Sequence, residues 1–226
     1  AGIAGLFMAE KLSRAGVDFI VLEKANDVGG TWRDNTYPGL YVDVLSRQYE
    51  FPFSPNYDWS RKYAPGSEIQ NYILRVTRER NLRKNIRFNE EAVSASFGDG
   101  LWHVATAKGE ELTCNVLIGA TGFLHKPLYP DIPGRELFTG PAFHSAQWDH
   151  SVDHTSNRWG IIGGAASGIQ ITEALAWEGC RVTQFIRRPQ WIHIRDNPST
   201  SWLERIFLRL PFAYKYRQTK LWETII

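Results

Sequence analysis

Two glycine-rich turns, each entering an apolar helix and followed by a short apolar strand that ends in charge, constrain this chain more than any other feature. The first, Ala1-Gly2-Ile3-Ala4-Gly5-Leu6, opens the sequence; the second is Gly160-Ile161-Ile162-Gly163-Gly164-Ala165-Ala166-Ser167-Gly168. Glycine in such a turn lets backbone amides approach a pyrophosphate closely. The helix that follows offers unpaired N–H groups and the positive end of its dipole. A glycine turn alone is a weak signal, but turn, helix, strand and terminal charge in that order specify a unit of parallel sheet. The order occurs twice, so the chain is predicted to be α/β, with two Rossmann-like dinucleotide-binding domains.

The first turn lacks the opening glycine of GxGxxG. A helix with Ile3, Leu6, Phe7, Ala9 and Leu12 inward is expected to stop at Gly16, which tolerates the left-handed conformation after a helix end. Residues 17–22 predict a buried parallel strand, with Glu23 at its carboxyl end. An acid about 20 residues beyond the turn accepts the ribose hydroxyls of an adenosine; the alternative is an ordinary crossover with a chance glutamate. In the second unit the helix runs to Gly179, and the strand at 181–186 ends in Arg187 and Arg188. A guanidinium pairs with a 2′-phosphate through a charge-assisted fork, so this half asks for NADPH rather than NADH, a solvated strand end being the alternative. Ala165 stands where the middle glycine is usual, placing a methyl where backbone should meet phosphate.

A chain of 226 residues accommodates two ordinary domains. Residues 1–137 are expected to bind the first dinucleotide, 138–155 to form a linker, and 156–226 to begin the second domain with a helical insertion. Both ends read as cut: the strand before the first turn is absent, and the second unit stops soon after it begins. The near-balance of 26 basic and 24 acidic residues suggests neither a nucleic-acid nor an anionic-membrane partner, and no run of about 20 apolar residues is present to span a bilayer. Cys114 and Cys180 lack CxxC spacing. They read as small buried apolar residues in a reducing cytoplasm, against a disulfide framework and against a dithiol reductase.

Between the turns, the paired glycines Gly29 and Gly30 let backbone approach a pyrophosphate, and Trp32 is placed to pack on a cofactor ring. Tyr37-Pro38-Gly39-Leu40-Tyr41-Val42-Asp43 reads as a rigid turn delivering a carboxylate; a turn-capping aspartate is the alternative. A helix over about 68–80 is predicted with Ile69, Tyr72, Ile73 and Val76 inward. Residues 86–88, 92–97 and 101–107 predict a meander with a Gly98-Asp99-Gly100 turn, and 115–119 a further buried strand leading to Ala120-Thr121-Gly122. His150 and His154 have helical metal-ligand spacing, but they sit in a polar connector and no metal is assigned. The tail at 201–226 is aromatic and basic, with Trp202, Ile206, Phe207, Leu210, Phe212 and Tyr214 broken by Pro211. It reads as a helical insertion packing on the missing part of the second domain, or as an amphipathic surface helix on a membrane.

Phe138, Gly140, His144, Trp148 and Asp149 match the pattern FxGxxxHxxxW followed by Pro or Asp. With the GGTW run ending at Trp32, the YPG turn at Tyr37 and the ATG at Ala120, the chain resembles the type I Baeyer–Villiger monooxygenases, class B flavoprotein monooxygenases, over nearly its whole length to about Asn197. Trp148 favours that branch over relatives that oxygenate amines and sulfides, which usually carry Tyr or Phe there. The resemblance implies FAD held by Gly2, Gly5, Glu23, Gly30, Thr31, Trp32, Asp43, Tyr49 and the backbone near Ala92. It implies NADPH held by Tyr41, Val42 and Asp43, by Gly163, Gly164, Ala165, Ala166, Ser167, Gly168, Ile169 and Gln170, and by Arg187 with Arg188. The implied reaction uses NADPH and O2, through a flavin C4a-peroxide, to turn a ketone into an ester or lactone. Asp43 would hold an arginine lying beyond Ile226. His144 would couple domain movement to the nicotinamide site or serve as a structural histidine, and Trp148 belongs to the same fingerprint. The alternatives are an amine- or sulfide-oxygenating flavoprotein and a non-catalytic dinucleotide-binding protein. A ketone and O2 are thus the expected partners, in the cytoplasm.

Overall fold

The computed structural model describes residues 1–155, 158–192 and 196–213. Helix α1 (Ile3–Arg14) follows the first glycine turn and gives way at Gly16, whose φ of +68° only glycine adopts without strain. Strand β1 (Val21–Glu23), a one-turn helix α2 (Thr31–Asp34) and helix α3 (Gly66–Glu79) lead to β2 (Ile86–Phe88). Then come β3 (Ala92–Gly98), β4 (Leu101–Thr106) and β5 (Glu111–Cys114), and after the linker β6 (Arg158–Ile162), α4 (Ala166–Trp177), β7 (Arg181–Phe185) and α5 (Trp202–Leu208). β1 pairs in parallel with β2 and β6 with β7, each pair joined by a crossover helix, while β3, β4 and β5 form an antiparallel sheet. The architecture is α/β with two Rossmann-like units, as the glycine turns require.

The larger core gathers on α3, where Ile69, Tyr72, Ile73 and Val76 recur at helical spacing and bury themselves against Leu6 of α1 and Val28. Each such side chain contributes about 1.5–3 kcal/mol by leaving water. Tyr72 carries a hydroxyl into this core, donating to Ser54 O at 2.7 Å and accepting from Phe51 N–H at 2.7 Å. Burial pushes its pKa well up, so the group stays a neutral donor. A second cluster on α4, Ile171 and Leu175, packs with Tyr37 from the other unit.

Several sequence expectations are corrected. The strand expected at 17–22 forms only at Val21–Glu23, leaving Val17 and Ile20 about half exposed, because among the described residues β1 has a strand partner on one side alone. β2 lies beside β1 rather than in the meander: Asn89, at φ +54°, donates to Ala25 O, Glu90 N–H donates to Glu23 O, and the chain then turns into β3. The meander's third strand is β5, for which the sequence reading had no expectation. Residues 115–119 form no strand and expose Val116 by 71%, since no described strand pairs with them.

The described part of the tail forms helix α5 and is tied to the first unit. Its extended start lies along the first unit: Thr200 N–H donates to Ser60 O at 2.8 Å, and the Asn197 amide exchanges two 2.9 Å bonds with the backbone of Tyr63. Arg209 then forks onto Asp58 at 2.7 and 2.9 Å. The loop at 60–63 presents backbone groups that a passing strand can satisfy, and the tail meets that demand. Tyr214 and the remainder to Ile226 lie outside the described residues. The two cysteines are half-buried rather than buried, and Cys180 Sγ donates to His154 O. Among the described residues no helix is long and apolar enough to cross a membrane.

Tyr72→Phe keeps the volume of the core but strands the Phe51 N–H and the Ser54 carbonyl. It is expected to cost about 1–3 kcal/mol, read as a lower urea midpoint at unchanged slope; an unshifted midpoint would mean that water replaces the hydroxyl.

Candidate dinucleotide-binding site

The start of α1 and the turn at 28–30 face each other through glycine. A Cβ on Gly30 would stand 3.1 Å from Gly2 Cα, and one on Gly2 3.7 Å from Gly30 Cα; Gly30 has a φ of +54°. Gly29 N–H donates to Ala1 O at 3.0 Å, which fixes the pair. Helix α1 has neither a side-chain N-cap nor an acid in its first turn. Its first N–H groups therefore lack intrahelical partners and point out of the helix end. Gly5 lies in the same turn, with Ala120 Cβ 3.7 Å from where its own Cβ would be.

Glu23 closes one edge of this cradle, as expected. Its carboxylate takes a hydrogen bond from Ala25 N–H at 2.9 Å and an ion pair from Arg33 at 3.3 Å. Burial pushes the carboxyl up, while the Ala25 N–H and the Arg33 guanidinium pull it down. Ala92 opens β3 two residues after Glu90, whose N–H donates to Glu23 O, so the head of β3 lies beside this strand end.

Thr31 and Trp32 begin α2, and the Trp32 ring meets Tyr49 edge-on at 5.0 Å. Beside them opens a cleft of about 470 Å³ walled by Trp32, Tyr37, Tyr41, Ser67, Gln70 and Asn71. Asp43 stands on the turn at 37–43, and its carboxylate adds to burial in raising the pKa of both Tyr37 and Tyr49. Gln70 is a site residue that sequence reasoning missed. It donates to Val28 O at 2.9 Å, while its buried Oε1 has no hydrogen-bond partner among the described residues and lies 2.0 Å from where a Gly29 Cβ would be. No motif marks it, because it follows the apolar Ile69 on an otherwise ordinary amphipathic helix.

The second cradle is built differently. Gly163 has φ +129°, and its carbonyl lies 2.5 Å from where a Cβ of Gly168 would stand, so both positions need glycine. Ala165 is the N-cap of α4 with φ −78° and ψ 176°, an extended geometry open to any residue. A Cβ on Gly164 would meet Ile186 at 2.9 Å, so the end of β7 packs on the turn. Arg187 and Arg188 follow at once, both exposed.

The turn at 37–43 joins the two cradles. Tyr37 donates to Gln170 Oε1 at 3.1 Å, and Gln170 Nε2 donates to Tyr41 O at 2.8 Å. Gly39, at φ +75°, lets the turn approach so closely that a Cβ there would stand 2.6 Å from Gln170 O. The segment from Tyr41 to Asp43 is thus joined to Gln170 through the Tyr41 carbonyl. The fingerprint residues are not brought to this cleft. His144 caps the short turn Ser145–Gln147, its Nδ1 accepting from Ala146 N–H at 3.1 Å, and meets Tyr129 edge-on at 5.7 Å. Trp148 stacks on Trp159 of β6 at 5.6 Å. His150 pairs with Thr36 at 2.7 Å and His154 with Glu178 at 2.9 Å, so the two histidines point to different partners.

Gly39→Ala must hold a methyl at positive φ against a backbone oxygen, whereas Gly16→Ala pays only for its φ, nothing lying within 4 Å of the added carbon. Gly16→Ala is expected to cost about 1 kcal/mol and Gly39→Ala about 2 kcal/mol more. Equal thermal shifts for the two variants would show that the α4 contact relaxes freely.

The family model for pyridine nucleotide-disulphide oxidoreductase matches residues 1–210. A Baeyer-Villiger monooxygenase of Streptomyces coelicolor is 41% identical over 226 residues, covering 98% of this chain and 43% of that protein. The crystal structure of a cyclohexanone monooxygenase mutant from Rhodococcus sp. Phi1 bound to NADP+ superposes with a TM-score of 0.89 at 31% identity, covering 97% of this chain and 44% of that one. The crystal structure of OTEMO complexed with FAD and NADP gives 0.85 at 33% identity, with 92% and 42% coverage. This chain therefore spans less than half the length of the proteins it matches. The family's name refers to disulfide chemistry, but Cys114 and Cys180 are both free here. Since the match runs from the first cradle through the second, the chain belongs to the pyridine nucleotide-disulphide oxidoreductase family and is similar, within it, to Baeyer–Villiger monooxygenases.

Proposed function

We propose that this chain carries the nucleotide-binding part of a Baeyer–Villiger monooxygenase that uses FAD, NADPH and O2 to convert a ketone to an ester or lactone. The observation that carries this reading is the meeting of two glycine cradles of opposite edge charge at one carboxylate-bearing turn. Glu23 borders the first, Arg187 and Arg188 border the second, and the turn at 37–43 shares the first unit's core through Val42 and bonds to the second through Gln170. Relatives named for FAD, NADP and Baeyer–Villiger chemistry support it.

The first cradle fits FAD. Gly2 and Gly30 expose backbone to an approaching phosphate, a Cβ on Gly30 would crowd Gly2, Glu23 offers a carboxylate acceptor for ribose hydroxyls, and the buried Gln70 Oε1 has no donor among the described residues, so that a ligand can supply one. Gly5 and Thr31 lie at the same helix starts, Tyr49 and Ala92 flank them, and Trp32 walls the cleft where an isoalloxazine would lie. The second cradle fits NADPH, with Gly163 to Gly168 approaching the pyrophosphate and the paired arginines facing a 2′-phosphate. FAD supplies the electron transfer and oxygen activation that no side chain provides. The protein's own part is to orient and to shield. Trp32 and Tyr49 form an aromatic wall that excludes water, and Asp43 presents a carboxylate able to fix a cation at the rim. Trp148 and His144 act at a distance, by anchoring the linker that sets the spacing of the cradles.

Three measurements on the full-length protein test this. With NADPH and O2, and a cyclic ketone and a sulfide offered together, lactone is expected as the main product; sulfoxide alone would favour the amine- and sulfide-oxygenating branch, and no turnover a non-catalytic binder. Replacing Arg187 and Arg188 by alanine is expected to raise KM for NADPH about 10- to 100-fold and KM for NADH little, since only the former loses charge-assisted bonds of about 1.5–3 kcal/mol. An equal rise for both would make the arginines scaffold. Glu23→Lys is expected to purify with most of its flavin lost, and full occupancy would remove Glu23 from the site.

A further inference from the structure

The geometry points to Gln170 as a positioning residue that locks the carboxylate-bearing turn to the second cradle, rather than as a contact to the dinucleotide. The inference deepens the proposed function and rests on it for its kinetic consequences alone. Both functional atoms of the Gln170 amide are already engaged by the turn: Oε1 accepts from the Tyr37 hydroxyl at 3.1 Å, and Nε2 donates to Tyr41 O at 2.8 Å. The amide has one workable orientation, because turning it over would set Oε1 against the Tyr41 carbonyl, acceptor against acceptor. Gly39, midway between the two tyrosines, presses on the Gln170 carbonyl itself. Three contacts from one residue thus hold a five-residue stretch of the other unit.

What this hold controls is the peptide that leads to Asp43. Tyr41 O is fixed by Gln170, and the next N–H, of buried Val42, donates to Ala64 O at 3.0 Å. Pinning both sides of the Tyr41–Val42 peptide sets the direction in which the chain delivers Asp43. Gln170 lies one turn into α4, the helix whose start forms the second cradle. The position of Asp43 is therefore referenced to the nicotinamide nucleotide's own helix, and hydride delivery depends on that register.

Gln170→Leu keeps the bulk and removes both bonds. In the full-length protein without nucleotide, backbone hydrogen exchange at Val42 is expected to accelerate at least 10-fold. In the flavin-loaded protein, the rate of flavin reduction at saturating NADPH is expected to fall at least 10-fold, while the Kd for NADP+ moves less than threefold. Tyr37→Phe is expected to give a smaller effect, and Tyr37→Phe combined with Gln170→Leu to be no slower than Gln170→Leu alone. Gln170→Glu, which keeps the acceptor for Tyr37 and loses the donor to Tyr41, serves if the leucine variant does not fold, with the same acceleration at Val42 expected. A tenfold weaker Kd with an unchanged saturating rate would overturn the inference in favour of a dinucleotide ligand. Unchanged exchange at Val42 would overturn it in favour of an incidental contact. If NADPH does not reduce the wild-type flavin, the proposed function fails, and the exchange measurement still decides the clamp.

Discussion

At Gly39 the backbone of one nucleotide unit meets the backbone of the other with no side chain between them, and the geometry of the cleft follows from that approach. The turn can come this close because glycine occupies a positive φ and offers no Cβ to the Gln170 carbonyl. Tyr37 fills the space on one side, burying its ring with Ile171 and Leu175 of α4, and so converts a backbone contact into a shared core. A hydrogen bond at the surface is easily exchanged for water, whereas this contact is backed by apolar burial and is costly to open. The cleft walls formed by Tyr37 and Tyr41 therefore belong as much to the second unit as to the first.

The two cradles reach similar ends by different means. In the first, two glycine turns remote in sequence oppose each other, Gly2 against Gly30, so the space is made between segments. In the second it is made within one turn, where Gly163 and Gly168 close on each other. That difference explains why alanine is tolerated at 165: its residue sits outside the closest approach, at an extended N-cap where the methyl meets no conformational penalty. The charges at the strand ends complete the contrast, a buried carboxylate bonded by Ala25 N–H and Arg33 on one side and two solvated guanidinium groups on the other.

Local grammar made these features legible in the sequence. The turns, α1, α3, α4 and the ends of β1 and β7 announce themselves through glycine, helical spacing and terminal charge, all of which act over a few residues. What was illegible depends on partners far along the chain. β2 reads like a meander strand, yet it is claimed by β1, more than sixty residues earlier, through Val21↔Ile86. Residues 115–119 read as a buried strand because their side chains are apolar, but a strand needs a neighbour, and apolarity says nothing about whether one is there. Gln70 carried no distinguishing pattern, and Gln170 was marked only by the resemblance, as a nucleotide contact, since an amide gains its role only from the groups that surround it.

The docking of the tail on the first unit follows the same logic, and its energetics can be ordered. The Arg209–Asp58 pair is more than half exposed on both sides, so solvent screens it and its contribution is small. Asn197 is different in kind. Its side-chain amide satisfies both backbone groups of Tyr63 as a neighbouring strand would, and the chain then continues the pairing from Thr200 to Ser60. Directional bonds to main-chain groups fix register, which a solvated ion pair cannot do. Asparagine is suited to the task because its amide places an N–H donor beside a carbonyl acceptor on a single short stem, copying a peptide group. One polar residue upstream thus sets where the aromatic, basic stretch begins, and helix α5 then leaves Trp202, Ile206 and Phe207 largely exposed.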